Sequence, residues 1–117
     1  MTADPTCLFC RIVEGSIPAA MVHEDDEIIA FRDIAPRAPT HILVIPREHI
    51  PSAASLTQAD APMLGRLFAT VADIARHEGI ADAGYRLVSN VGRWGGQTVD
   101  HLHIHLLGGR PFGWPPG

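Results

Sequence analysis

His101-Leu102-His103-Ile104-His105-Leu106-Leu107 places three of the chain's seven histidines at every second position. Side chains of an extended strand alternate faces with period two. The run therefore predicts a strand with imidazoles on one face and Leu102, Ile104 and Leu106 on the other, closed by Gly108-Gly109. Neutral imidazole offers a nucleophilic nitrogen, a proton acceptor and a metal ligand near physiological pH. Either this is a surface strand whose polar face is histidine-rich, or it is a catalytic or metal-binding row. Clusters of titratable rings mark functional sites more often than plain surfaces, which favours the second reading.

The flanking residues add to that chemistry. Gly95-Gly96-Gln97-Thr98-Val99-Asp100 runs directly into the row. Glycines let backbone N–H groups approach an anion closely, and Gln97 and Thr98 add side-chain donors. Alone, such a loop is a plain tight turn. Beside candidate nucleophiles it supplies the anion donors that phosphoryl chemistry needs. Cys7-Leu8-Phe9-Cys10 is a C-x-x-C pair. Zinc sites use this spacing, but they need two further ligands, and no second C-x-x-C exists here. Two buried free cysteines or a redox pair remain open from spacing alone.

The elements that must position these groups read as a single α+β domain over residues 1–117, with 110–117 as a C-terminal arm. Leu8 to Val13 predicts a short helix, with Gly15 and Pro18 as stops. Ala20 to Glu24 and Ile28 to Phe31 predict two strands joined by the acidic turn Glu24-Asp25-Asp26-Glu27. Thr40 to Ile45 predicts a buried strand ending at Pro46, after a loop broken by Pro36 and Pro39. Leu64, Leu67, Phe68, Val71, Ile74 and Ala75 share one helical face, predicting a long helix from Ser55 to Glu78 that stops at Gly79. Gly65 inside that helix costs about 1 kcal/mol against alanine unless packing requires it. Tyr85 to Val91 predicts a further strand, and the histidine row is the last. Trp114-Pro115-Pro116-Gly117 cannot form regular structure, and the cost of exposing tryptophan favours a docked arm.

Composition narrows the class. At 117 residues, 46% of them hydrophobic, the chain can bury an ordinary core. Its net charge of −4 argues against an extended nucleic-acid footprint, which needs a basic stripe. No apolar run approaches the roughly 20 residues of a membrane span, and no secretory signal opens the chain. Two closely spaced cysteines do not staple a domain, so a reducing cytoplasm is expected.

The residues Gly-Gly-Gln-Thr-Val-Asp-His-Leu-His-Ile-His-Leu-Leu-Gly-Gly-Arg, 95–110, resemble the signature of the histidine-triad (HIT) nucleotide-binding proteins. Cys7 to Ile12, Phe31 to Ile34, Pro39 to Pro46, Asn90 and the Trp-Pro-Pro-Gly end fall in family order. The Gly-Gly-Arg and the terminal segment resemble the Hint branch. The resemblance implies a five-stranded antiparallel sheet with one long and one short helix. It also implies a homodimer whose two sheets join into one ten-stranded sheet, with the long helix packed at that interface and Trp114 reaching the partner's site.

A function follows from the resemblance: hydrolysis of purine nucleoside 5'-phosphoramidates, and of aminoacyl-adenylates, to a monophosphate such as AMP, with no catalytic cofactor. His103 would be the nucleophile, its other nitrogen bonded to the His101 carbonyl. His105 and His41 would contact the α-phosphate oxygens. Asn90, Gly96, Gln97 and Thr98 would hold the phosphate and leaving group, and Asp33 the ribose. Leu8, Phe9, Ile12, Phe31 and Ile34 would form the purine slot. Cys7, Cys10, His49 and His101 would hold a structural zinc, as in some bacterial-type members. The Hint branch usually has serine where Thr98 stands, and threonine there resembles the dinucleoside-polyphosphate hydrolases. That activity, or a nucleotide-binding regulatory role, is the alternative. A transferase branch with glutamine at the third triad position is excluded by His105.

Overall fold

The computed structural model of the protein describes residues 3–117. Its centre is an antiparallel sheet of five strands in the order β1-β2-β3-β5-β4: β1 Met21–Glu24, β2 Ile28–Arg32, β3 Thr40–Pro46, β4 Arg86–Val88 and β5 Ile104–Gly108. Helix α1 spans Leu8–Val13 and helix α2 spans Ala61–His77. The expected α+β class and its elements are all present.

Alternation assigns each face of the sheet to a different neighbour. Ile28 and Ala30 of β2, Ile42 and Val44 of β3, and Ile104 and Leu106 of β5 pack against Met63, Leu67, Val71 and Ile74 of α2. The odd positions Ile29, Phe31, Leu43 and Ile45 turn the other way, against Phe9, Cys7 and Cys10. Both faces of β2 and β3 are therefore buried, as their unbroken apolar runs require. The acidic turn closes the β1–β2 hairpin, with Asp25 accepting from the N–H groups of Glu27 and Ile28 at 2.8 Å each.

Three boundaries differ from expectation. The long helix begins at Ala61, not Ser55; short 3-10 turns occupy Ala53–Ser55 and Gln58–Asp60. Pro62 sits in its first turn. Extending the α-helix backwards would drive the proline ring into the Gln58 carbonyl. Asp60 instead accepts from the Thr57 N–H at 2.9 Å. The strand expected over Tyr85 to Val91 is only Arg86–Val88, because the chain turns away into a loop that Asn90 ties to the Gly95 carbonyl at 2.6 Å.

The histidine row is the third case. The ladder with β3 starts at Val44 opposite Ile104, so His101, Leu102 and His103 lie outside β5. Their backbone makes other bonds: Leu102 N–H donates to the Ile50 carbonyl at 2.6 Å, and the His101 carbonyl accepts from a histidine ring. Side-chain alternation nevertheless persists, since Leu102 joins the α2 core while His101 and His103 face the other way.

The arm beyond β5 docks through Phe112 rather than Trp114. The guanidinium carbons of Arg110 and Arg86 lie 4.2 and 5.3 Å from the Phe112 ring centre. Trp114 stays 84% exposed in the single chain. Gly65 has open space where a side chain would stand, so nothing within the chain requires it. Of the expected helical face, Leu64 is half-buried and Phe68 is exposed; Met63 takes the buried place instead.

Candidate active site and metal centre

The sheet face opposite α2 carries a cavity of about 380 Å³. Leu8, Phe9 and Ile12 of α1 form one wall, Phe31, Asp33 and Ile34 another, and Thr98, His103 and His105 the floor. Its size suits a small-molecule ligand. Ile17, Pro18, Ala19, Arg32, Leu43 and Val99 also line it and were not anticipated. Leu43 was legible, since it lies two residues after His41 on the same face. Ile17 to Ala19 gave no local signal, because a loop's contacts depend on where the chain returns.

Hydrogen bonds fix which nitrogen of each ring carries its hydrogen. His103 is buried, and its Nδ1–H donates to the His101 carbonyl at 2.6 Å. Its Nε2 thus keeps a lone pair, and no partner for it exists among the described residues. The Arg37 N–H donates to His41 Nδ1 at 3.0 Å, so the hydrogen of neutral His41 sits on Nε2. That N–H donates to His105 Nδ1 at 2.9 Å, with Asp33 Oδ2 farther off at 3.5 Å. His105 must then carry its own hydrogen on Nε2. An imidazole lone pair and an N–H donor consequently stand side by side, on rings whose centres are 4.9 Å apart. Phe9 meets the His103 ring edge-on, with centres 5.1 Å apart. His41 lies behind His105, outside the cavity lining.

Burial works against charge on His105, His101 and His41. Burial, followed by the neighbouring His103 and His41, pushes His105 down to about 4. Burial likewise pushes His101 to about 4 and lowers His41. In the unfolded chain each ring titrates near 6.5. The unfolded state thus binds more protons between those values, and stability falls as pH drops from about 6.5 towards 4. Urea midpoints are expected to decline already between pH 7 and 5, where carboxylates remain ionised. A flat midpoint over that range would contradict the assignment.

Asn90, Gly96 and Gln97 do not line the cavity. The Gln97 amide donates to the Pro51 and Val99 carbonyls at 2.7 and 3.0 Å, and its oxygen accepts from the Gly92 N–H at 2.9 Å. Gly96 adopts φ +79°, 3.7 Å from the Asn90 amide. In this state all three brace the loop that carries Thr98.

A second cluster abuts the first. The ligand atoms of Cys7, Cys10, His49 and His101 all lie within 4.8 Å of one another. His101 Nδ1 is 3.4 and 3.5 Å from the Cys7 and Cys10 sulfurs, and His49 Nδ1 is 3.2 Å from Cys10 Sγ. A tetrahedral zinc with bonds of roughly 2.1–2.3 Å needs ligand separations close to these. The outer contacts fit as well. His101 Nε2–H donates to the Pro46 carbonyl at 2.8 Å, freeing Nδ1 as a ligand. His49 Nε2 is 4.0 Å from the Asp4 carboxylate. Each sulfur accepts a backbone N–H, from Cys10 at 3.3 Å and from Asp4 at 3.4 Å. The cysteines are free thiols. Asp33, His41 and His105 form another close group, but the two rings there are satisfied by their shared N–H···N bond.

The HIT domain family matches residues 14–112. The chain is 50% identical to the purine nucleoside phosphoramidase of Escherichia coli K12, over 91% of this chain and 89% of that protein. It is 54% identical to an uncharacterized HIT-like protein of Synechococcus elongatus, over 94% and 96% of the two chains. The crystal structure of a HIT family hydrolase from Legionella pneumophila superposes with a TM-score of 0.94 at 50% identity, covering 96% of this chain and all 100% of that one. With a family match across most of its length and relatives of this identity, the chain belongs to the HIT domain family.

Proposed function

We propose that this protein is a hydrolase of purine nucleoside 5'-phosphoramidates that works through a covalent nucleotidyl-His103. The observation that carries the reading is His103 itself: Nδ1–H held by a backbone carbonyl at 2.6 Å, on a ring that lines the cavity and whose Nε2 has no partner among the described residues. Support comes from the Escherichia coli relative, whose name is purine nucleoside phosphoramidase.

In this mechanism His103 Nε2 attacks the α-phosphorus and forms a P–N bond. The bond from phosphorus to the substrate amine breaks, and the amine leaves with a proton passed through the Thr98 hydroxyl. The His105 Nε2–H stabilises charge building on the phosphoryl oxygens, and His41 acts through His105. Water then cleaves the nucleotidyl-imidazole, releasing AMP and restoring the lone pair. Leu8, Phe9, Ile12, Phe31 and Ile34 sandwich the purine, and Asp33 takes the ribose hydroxyls. Asn90, Gly96 and Gln97 hold the loop beside the phosphate.

Cys7, Cys10, His49 and His101 would hold a zinc ion whose part is structural, because four protein ligands leave no open position. Reduced thiols suit a cytoplasmic setting. No helix among the described residues is long and apolar enough to cross a membrane. A homodimer would cover the exposed Phe68 of α2.

A second activity, on dinucleoside polyphosphates, is the alternative, since Thr98 lines the cavity where the resemblance gives that branch threonine. Side-by-side rates on an adenosine phosphoramidate, an aminoacyl-adenylate and a diadenosine polyphosphate test the choice. AMP release should be fastest from the phosphoramidate. Fastest cleavage of the polyphosphate would replace the reading by the alternative.

A further inference from the structure

The arm after β5 grips the loop before β3. Arg110 donates to the Arg37 carbonyl from Nε at 3.3 Å and Nη2 at 2.9 Å. Its Nη1 donates to the Pro111 carbonyl at 3.0 Å, and the Phe112 ring supports its guanidinium face at 4.2 Å. Gly109, at φ +90°, lets the two segments close: a Cβ there would come within 2.8 Å of Pro39 Cβ. Residue 37 is therefore tied down through its carbonyl, while its N–H is spent on His41 Nδ1 at 3.0 Å.

That N–H is the group bonded directly to His41 Nδ1, and it biases the direction of the His41–His105 bond, a bias that the Asp33 carboxylate 3.5 Å from His41 Nε2 shares. An N–H···N bond between two neutral imidazoles can run either way. With Arg37 donating to His41 Nδ1, the hydrogens sit on Nε2 of both rings, and His105 offers a donor to an anion. Without it, His41 can carry its hydrogen on Nδ1, and His105 can donate from Nδ1. His105 Nε2 would then turn a lone pair towards a phosphate oxygen, which repels it.

We propose that Arg110 is a positioning residue: by fixing Arg37 it sets the tautomers of His41 and His105, so that His105 presents an N–H to the α-phosphate. The catalytic part rests on the phosphoramidase reading; the tautomer part does not. Arg110 touches neither substrate nor triad, and no sequence motif for phosphate binding would have assigned it this task.

Imidazole nitrogen chemical shifts of His41 and His105 in the full-length protein test it directly, alongside kcat and KM on an adenosine phosphoramidate. In Arg110→Met the protonated-Nε2 signals of both rings should give way to a tautomer mixture. Turnover should fall about tenfold while KM stays within about twofold. Phe112→Leu, which keeps Arg110 but removes the ring that both Arg110 and Arg86 pack on, should shift the same signals less far. It also serves if Arg110→Met does not fold. Arg86→Met removes the 2.6 Å bond to the Gly113 carbonyl and the more distant contact with Phe112, keeps every Arg110 bond to Arg37, and should leave tautomers and kcat unchanged. Unaltered nitrogen shifts in Arg110→Met, or an equal kcat loss in Arg86→Met, would overturn the proposal. If the wild type fails to cleave the phosphoramidate, the functional reading falls, and the shifts still decide the tautomer relay.

Discussion

Replacing His103 with glycine is expected to lower phosphoramidate turnover by about 10,000-fold or more, because the attacking nitrogen disappears and no other ring can take its place. His105 offers a hydrogen rather than a lone pair, His41 lies behind it, and the His101 ring is committed to the cysteine cluster. Substrate binding should survive, since Leu8, Phe9, Phe31 and Ile34 keep the cavity walls. The expected signature is thus a collapse of kcat with KM little changed. Stability should drop by only about 1–2 kcal/mol, the scale of leaving the His101 carbonyl without its donor. Rapid-quench measurement on the wild type should also trap label on protein, and the glycine variant should trap none. Retained turnover in a folded His103→Gly protein would sink the nucleophile assignment.

Stripping zinc, or replacing both Cys7 and Cys10 with serine, is expected to have the largest effect on stability. The cluster joins the N-terminus of α1, the segment after β3 and the segment before β5, three regions distant in sequence. A tetrahedral metal there acts as a crosslink between them. Its loss should lower Tm by about 10 °C, equivalent to roughly 3 kcal/mol in a domain of this size. Chelated wild type and the Cys7→Ser/Cys10→Ser variant should melt alike, which separates loss of metal from loss of packing. Elemental analysis should find one zinc per chain before treatment. Well under one would refute the metal, and the cluster would then read as two buried thiols beside two histidines. Turnover should weaken too, because His101 carries the carbonyl that orients His103.

Much of this was legible in the residues. Period-two alternation correctly separated Leu102, Ile104 and Leu106 from His101, His103 and His105, even where the hydrogen-bond ladder stops short of His101. The apolar stripe located α2 but misplaced its start, because side-chain periodicity does not register that Pro62 blocks a preceding turn. The family resemblance supplied the grouping of Cys7 and Cys10 with His49 and His101, which spacing could not. Gln97 shows what remained hidden. Its type announced a donor, yet its amide is consumed within its own loop by Val99 and Gly92 and by Pro51, 46 positions away and brought near only by folding. The same holds for Arg110, whose target lies 73 positions away.

The sheet that separates the two cores also separates two kinds of evolutionary freedom. Residues facing α2 answer mainly to folding stability, whereas the cavity walls come largely from α1 and loops, with Ile34 projecting fully into solvent. Changes to Leu8, Ile17 or Ile34 can therefore retune which ligand fits without reopening the packed interior. Such a partition lets one scaffold drift in substrate preference while its nucleophile and its hydrogen-bond wiring stay untouched.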